Sequence, residues 1–337
     1  MYIAFIISES FCISPNNGIR IQAETWATEL ERQGHIVKKI DPWECQDWTN
    51  FDIIHLFGWN EFLLNLHELP NRNIVFSPII DSFQPIWKYR LASYWGIKRL
   101  RLNSTNNAIR RAIPFIKMWC VRTRFEYQYV CKAYGISPNK VAIIPLSFRV
   151  SSNEYIVPKE QCCLHVSRIT QDRKNVERLV EASKKYGFNL LLAGSVDESY
   201  KESDLKRKIE QYPNVQYLGR LSDENLLNLY KRVKVFALPS IGEGVGLVAL
   251  EAAACGCVIV VTNIGGPKEY YGNMAYVVNP YSIDDIGSSV LKALEDTKCQ
   301  PRLMKYVQKE YALEVCVKRL IDTCYKGVED SEEIEFD

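Results

Sequence analysis

The chain has no run of about twenty uninterrupted apolar residues, the length a membrane-spanning helix requires. Its longest apolar stretch, 247–261, carries Glu251 within it. A spanning helix is therefore not expected, although a protein lying on a membrane is still allowed. The first residues, Met1 to Ser8, lack both a basic leader and a small-residue cleavage site, so they read as a first strand and not as a signal peptide. Histidine is scarce, at four residues, and no Asp-x-Asp pair occurs anywhere. The carboxylate pair that would present a metal ion to a diphosphate is thus missing. The eleven cysteines form no framework: the count is odd, Cys162 and Cys163 are adjacent, and Cys255-x-Cys257 is too tight for paired zinc spacing. They read as mostly buried, reduced thiols of a cytosolic protein. Acidic residues are absent from Ser82 to Phe125.

What is present is globular. Apolar residues make up 47% and charged residues 24% of the 337 residues, enough for two domains with a core each. The net charge of +2 carries little information; its distribution carries more.

Short apolar strands alternate with amphipathic helices along the whole chain, which predicts parallel α/β sheets. In the first half, strands are expected at 2–7, 35–40, 53–56, 74–76 and 141–144. A helix carries Ala23, Trp26, Ala27 and Leu30 on one face, with Gly34 placed to end it. In the second half, strands are expected at 164–166, 190–193, 215–218, 235–238, 258–261 and 276–278. Helices are expected at 176–185, 205–211, 223–231, 247–254 and 283–295. The fold class expected is two Rossmann-like parallel α/β domains facing a cleft, since ligands of such sheets sit at the carboxyl ends of the strands. The boundaries expected are 1–150, 151–310, a C-terminal helix over 311–328 and an acidic tail over 329–337.

One stretch carries more than pattern. From Ala237 to Val261, Pro239-Ser240 follows a strand, Gly244-Val245-Gly246-Leu247 opens a helix, and Glu251-Ala-x-Ala-x-Gly256 closes it before the next strand. Glu243 and Glu251 are separated by seven residues. This resembles the donor-site motif of glycosyltransferase family four, the glycosyl transferases group 1, which are retaining enzymes of the GT-B type. Three further elements match in order: Val166-Ser-Arg168 with Lys174, the strand ends Leu192-Ala-Gly194 and Tyr217-Leu-Gly219, and Gly265-Gly266-Pro-Lys-Glu269. The resemblance spans about 164–280. The first half matches in style only, through Gly18 before a helix, Gly34-His35 and Asp52-Ile-Ile-His55.

The resemblance implies a site for a nucleoside diphosphate sugar. Glu251 would accept hydrogen bonds from the ribose diol, which suits a carboxylate with two acceptor oxygens. Glu243 would reach the hexose hydroxyls. Gly244 and Gly246 would let the backbone approach, and the helix beginning at Leu247 would offer its positive end to a phosphate. Arg168 and Lys174 would neutralise the leaving diphosphate without a metal or other cofactor. Gly18, Gly194, Arg220 and Val245 complete the expected donor contacts, and Glu269 either touches the ligand or caps a helix. The family reaction proceeds by front-face attack, with the leaving phosphate oxygen as base.

Departures concern the acceptor side. The family histidine after the fourth strand is absent from Ser77-Pro-Ile-Ile-Asp81, where Asp81 is the candidate replacement. Pro145-Leu-Ser-Phe148 stands in place of a Pro-Asn-Gly turn, and Ser167 in place of a glycine. His55 and His165 read as core histidines. The acid-free segment holds ten Lys and Arg, from Lys88 to Arg124, interleaved with Phe83, Trp87, Tyr89, Tyr94, Trp95, Phe115 and Trp119. Basic and aromatic side chains together suit an anionic bilayer surface, with ordinary solvated helix faces as the alternative and no nucleic-acid motif in support of a third reading. The function expected is transfer of a hexose, with retention, to a glycan acceptor that is lipid-linked, in bacterial surface polysaccharide synthesis on the cytoplasmic face of the membrane. The rivals are an inactive homologue serving as a binding partner and a GT-B nucleotide-sugar epimerase or hydrolase.

Overall fold

The computed structural model describes residues 1–8, 18–41, 43–80, 84–97, 102–103, 105–150, 158–198, 200, 203–296 and 300–330. Two compact units emerge. The first comprises Met1–Ile80, Gln84–Leu146 and the chain from Leu313 on; the second comprises Ser147–Ala312.

The first unit is built on a six-stranded sheet of β1 (Tyr2–Ile7), β2 (Ile36–Lys39), β3 (Ile53–Phe57), β4 (Ile74–Ser77), β5 (Met118–Val121) and β6 (Val141–Ile143). The order is β2-β1-β3-β4-β5-β6, every pairing parallel. Strands covered on both faces read as unbroken apolar runs. Accordingly every residue of Ile53–Phe57 is buried. Helix α1 (Gly18–Arg32) buries Ala23, Trp26, Ala27 and Leu30, the face set by its 3.6-residue period. It gives out at Gly34, whose φ of 85° only glycine adopts without strain. Helix α2 (Ile86–Tyr94) comes later in the same unit.

The second unit repeats the plan with β7 (Glu160–Val166), β8 (Leu190–Ala193), β9 (Val215–Tyr217), β10 (Val233–Leu238), β11 (Val258–Thr262) and β12 (Tyr276–Val278). The order β9-β8-β7-β10-β11-β12 is again wholly parallel. Strand order reverses between β7 and β10, which makes the gap at their carboxyl ends the topological switch point where ligands of such sheets bind. Its helices include α3 (Asp223–Arg232) and α4 (Leu247–Ala254). Ser222 caps α3 by accepting from the Asn225 N–H, and Ser282 caps the helix Ile283–Glu295 in the same way. Both units are Rossmann-like, as the alternation of strands and helices predicts.

Two features depart from the sequence expectations. Strand β5 was not among the expected strands, because its four residues sit inside the basic, aromatic segment and offer no alternation. Its Trp119 is fully buried against Phe76. The C-terminal region is not one regular helix. After Leu313–Arg319 the chain widens into a π-type turn, Leu320–Tyr325, before Lys326–Asp330. There the Tyr325 hydroxyl meets His55 Nδ1 at 2.9 Å, and the Ser77 hydroxyl meets Nε2 at 2.8 Å. Burial lowers the His55 pKa to about 3, so the ring is neutral, as the core reading of His55 requires.

One buried ion pair fixes the turn that follows β4. Glu126, 1% exposed, accepts from the backbone N–H of Ile80 at 2.5 Å and of Arg122 at 2.7 Å, and holds the Arg122 guanidinium at 3.1 Å. Removing the carboxylate strands a buried cation and two backbone donors. Glu126→Ala is expected to cost about 3–5 kcal/mol in urea unfolding, and Glu126→Gln less, because the amide oxygen still accepts. A loss under about 1 kcal/mol would contradict this.

Candidate functional site

At the switch point, two loops of the second unit are stitched together by side chains. After β7 the chain makes a short 3-10 turn, Asp172–Lys174, and Asn175 follows at φ 60°. Asn175 is buried, and its amide donates to the carbonyls of Pro239 at 2.8 Å and Pro280 at 2.6 Å, one after β10 and one after β12. The Arg173 carbonyl accepts from Ile241 N–H at 2.8 Å, while its guanidinium donates to the Gly242 carbonyl at 3.2 Å. Between these clamps the Lys174 ammonium donates to Glu243 Oε2 in a close ion pair whose side chains are only 13% and 12% exposed. The Ser240 hydroxyl lies 3.5 Å from the same oxygen.

Gly244, Val245 and Gly246 are buried. Gly246 stands at φ 76° ahead of α4, and an added Cβ would lie 2.7 Å from Leu238 Cδ2. It has no side chain to cap the helix, so the first N–H groups, beginning at the half-buried Leu247, present the positive helix end without a side-chain acceptor. Helix α4 is apolar around most of its girth, and Ala249, Leu250 and Ala252 to Ala254 are all buried. Glu251 is the exception in composition but not in burial, at 1% exposed. Its Oε1 accepts from Arg149 Nε at 2.7 Å. Burial raises the Glu251 pKa above the ordinary carboxylate value, Arg149 opposes that shift, and Asp223 adds to it.

Gly194 ends β8 at φ 136°, and a Cβ there would sit 1.7 Å from the Ser167 carbonyl oxygen. Only glycine lets β8 close against β7 at this level. Behind the site, His165 Nδ1 lies 2.8 Å from the Ala237 carbonyl and Nε2 2.8 Å from the Ser167 hydroxyl. Burial lowers its pKa to about 4, so it is a neutral spacer between β7 and β10 and, as expected, a core histidine.

The structure thus brings Lys174, Glu243, Gly244, Val245, Gly246, Leu247 and Glu251 into one region, with Gly194 at the neighbouring strand end. Arg168 and Arg220 are exposed and make no ion pair among the described residues. Glu269 is half-buried in the turn Pro267–Tyr271. Gly18 is the first residue of α1, in the first unit. Asp81 lies outside the described residues. Asn175, Arg149 and Tyr230 escaped the sequence reading. Asn175 and Arg149 carried no periodic or motif signal, and Tyr230 lies within the expected helix 223–231 without a feature that singles it out.

A cavity of about 380 Å³ opens beside α4, lined by Arg149, Glu251, Tyr230, Asp223, Leu226 and Leu227 among others. It pairs an aliphatic wall with a few polar groups, the usual make-up of a small-molecule site.

Two parallel Rossmann-like units, one with a charged, glycine-lined switch point, define the class. Residues 150–310, nearly the whole of the second unit, match the profile described as Glycosyl transferases group 1. The chain is 30% identical over 240 residues to the O-antigen chain mannosyltransferase B of Escherichia coli, a match covering 64% of this chain and 61% of that protein. It therefore spans less than two thirds of the length of that curated relative. In fold it is similar to the sucrose-phosphate synthase of Thermosynechococcus elongatus, with a TM-score of 0.76 and 16% identity over 98% of this chain and 100% of the other. Anabaena HepE, solved in complex with UDP and glucose, gives a TM-score of 0.71 and 16% identity over 97% of this chain and 100% of the other. Both structures lie in the GT-B class, and they establish the fold of this chain.

Proposed function

We propose that the chain is a glycosyltransferase of surface polysaccharide synthesis. In this reading it moves a hexose, with retention and without a metal, from a nucleoside diphosphate sugar bound to the second unit onto a glycan acceptor. The observation that carries the reading is the Lys174–Glu243 pair at the switch point, next to the uncapped start of α4 and one helix away from the buried Glu251 carboxylate.

The pair explains how both charges are stored without ligand. With side chains only 13% and 12% exposed, each is the other's charge partner. When the donor arrives, Lys174 turns to the diphosphate and Glu243 to the hexose hydroxyls, so each exchanges one charged partner for another. Arg168 adds a second cation from the solvent side. The leaving diphosphate gains negative charge as the glycosidic bond breaks, and fixed cations together with the N–H groups of α4 stabilise that charge where it develops. Glu251 receives the ribose diol. The Escherichia coli relative is named a mannosyltransferase, which places mannose first among the hexoses to be tried.

The acceptor reading rests on the first unit. Among the described residues no helix is long and apolar enough to cross a membrane. The basic, aromatic segment needs a correction in detail. Trp119 and Arg122 belong to the interior, Phe115 and Tyr89 pack on the core, and Phe83, Lys98, Arg99 and Arg101 lie outside the described residues. What is left outside is concentrated on α2. Ile86, Tyr89 and Ser93 turn inward, while Trp87, Leu91, Tyr94 and Trp95 are 62%, 53%, 59% and 70% exposed, spaced i, i+4, i+7 and i+8. Lys88 and Arg90 flank them in solvent, and the Arg110 guanidinium lies 3.6 Å from the Tyr94 ring centroid. An outward apolar stripe edged with cations suits an anionic lipid surface, where a lipid-linked glycan would be met on the inner face of the cell membrane.

Two measurements follow. Calorimetric titration with a panel of nucleoside diphosphates and their sugars should give binding of one base that EDTA leaves unchanged. Glu243→Ala and Glu251→Ala should each lower transfer by at least about 100-fold, the scale of losing a charged contact made to the reacting donor. Absence of binding by any nucleotide would favour a non-catalytic binding partner. Co-sedimentation with phosphatidylglycerol vesicles should fall by at least about tenfold in Trp87→Ser/Leu91→Ser and fall with rising salt. Equal sedimentation of the variant would remove the membrane reading.

A further inference from the structure

Two polar groups on the wall of the cavity beside α4 are not accounted for by the donor contacts above. Arg149 spends its Nε on Glu251 Oε1, and Glu251 Oε2 accepts nothing from the described residues. Tyr230 is fully buried on α3, lines the same cavity, and its hydroxyl has no hydrogen-bond partner among the described residues. A buried hydroxyl without a partner is costly in a folded protein and is rarely kept unless something satisfies it. The backbone carbonyl of Tyr230 is engaged separately, by Lys159 Nζ at 2.9 Å and Cys257 Sγ at 3.1 Å, so the ring is held in place from its other end.

We infer that Arg149 and Tyr230 are working parts of the nucleoside end of the donor site: Arg149 keeps Glu251 ionised with one oxygen free for the ribose diol, and the Tyr230 hydroxyl makes its hydrogen bond to the bound nucleoside. The inference rests on the donor reading of this unit. Arg149 is a positioning residue, acting through Glu251, whereas Tyr230 touches the ligand.

The physical argument for Arg149 is one of protonation state. A carboxylate can accept from both hydroxyls of a vicinal diol; a protonated carboxyl must donate one bond itself. Glu251 is buried in an apolar helix, so its charged form needs compensation. The groups facing it are Arg149 before β7, Asp223 and Tyr230 on α3, and Cys255 just after α4. Of these only Arg149 is cationic, while Asp223 pushes towards protonation. The sign follows. Burial already raises the Glu251 pKa from its ordinary value, and loss of Arg149, which opposes that shift, raises it further. Nucleoside binding, which needs the carboxylate, is then lost at a higher pH on acidification. The argument for Tyr230 is one of opposed signs. Deleting an unsatisfied buried hydroxyl relieves the free protein, yet it removes a bond from the complex.

The test uses the full chain, with the nucleoside diphosphate that binds best in calorimetry. In Arg149→Met the acid limb of binding between pH 5 and 8.5 should move up by at least about one pH unit, with affinity near that of the wild type restored at high pH. Arg149→Lys should restore most of the wild-type profile. Independently of any ligand, the ¹³Cδ resonance of Glu251, assigned by its disappearance in Glu251→Gln, should titrate higher in Arg149→Met. Tyr230→Phe should raise the Tm of the free protein and weaken nucleotide binding by several-fold. Loss by the same factor at every pH in Arg149→Met, or an unmoved Glu251 resonance, would overturn the role of Arg149. Unchanged binding in Tyr230→Phe would overturn that of Tyr230. If the wild-type chain bound no nucleotide, the donor reading itself would fall, and this inference with it.

Discussion

Two carboxylates of the second unit are largely withdrawn from solvent, Glu243 with 12% and Glu251 with 1% of its side chain exposed, and each needs a partner for its charge. Each has one cation: Lys174 for Glu243, Arg149 for Glu251. The surrounding architecture serves that requirement. Strand order reverses between β7 and β10, so the loops after these adjacent strands open apart and leave room for Lys174 and Glu243 to meet. Asn175 and Arg173 then pin the loops by their carbonyls, which places the pair without using its charges. Gly194 and Gly246 permit approaches that any Cβ would block. His165 fills the space behind as a neutral ring.

The same logic, with a different outcome, runs through the first unit. Two of its buried charges, Glu126 and Arg122, pair with each other, and the carboxylate also accepts from the backbone N–H groups of Ile80 and Arg122. That arrangement reads as a brace for the turn after β4. In the second unit the Tyr230 hydroxyl has no partner among the described residues, and Tyr230 and Glu251 line the same cavity.

Much of this was legible in the sequence, for identifiable reasons. Strands covered on both faces betray themselves as apolar runs, as at Ile53–Phe57 and Val258–Thr262. Glycines that a backbone conformation demands, such as Gly34, Gly194 and Gly246, also stand out at element ends. Glu251 was conspicuous as a charge in an alanine-rich helix. Arg149 was not legible, since its partner lies 102 residues away and nothing in the linker sequence marks it. Asn175 was hidden likewise, its two acceptors lying 64 and 105 residues on. In the basic, aromatic segment composition misled in part. Trp119 and Arg122 have the same local character as Trp87 and Lys88, and only the sheet decides that the first two go inside.

The most direct measurement is a crystal structure of the chain with the nucleoside diphosphate that it binds best. The account requires the ribose hydroxyls on Glu251, a phosphate at the N–H groups that open α4, and Lys174 turned from Glu243 to the diphosphate. A nucleotide bound elsewhere, with the Lys174–Glu243 and Arg149–Glu251 pairs undisturbed, would contradict it.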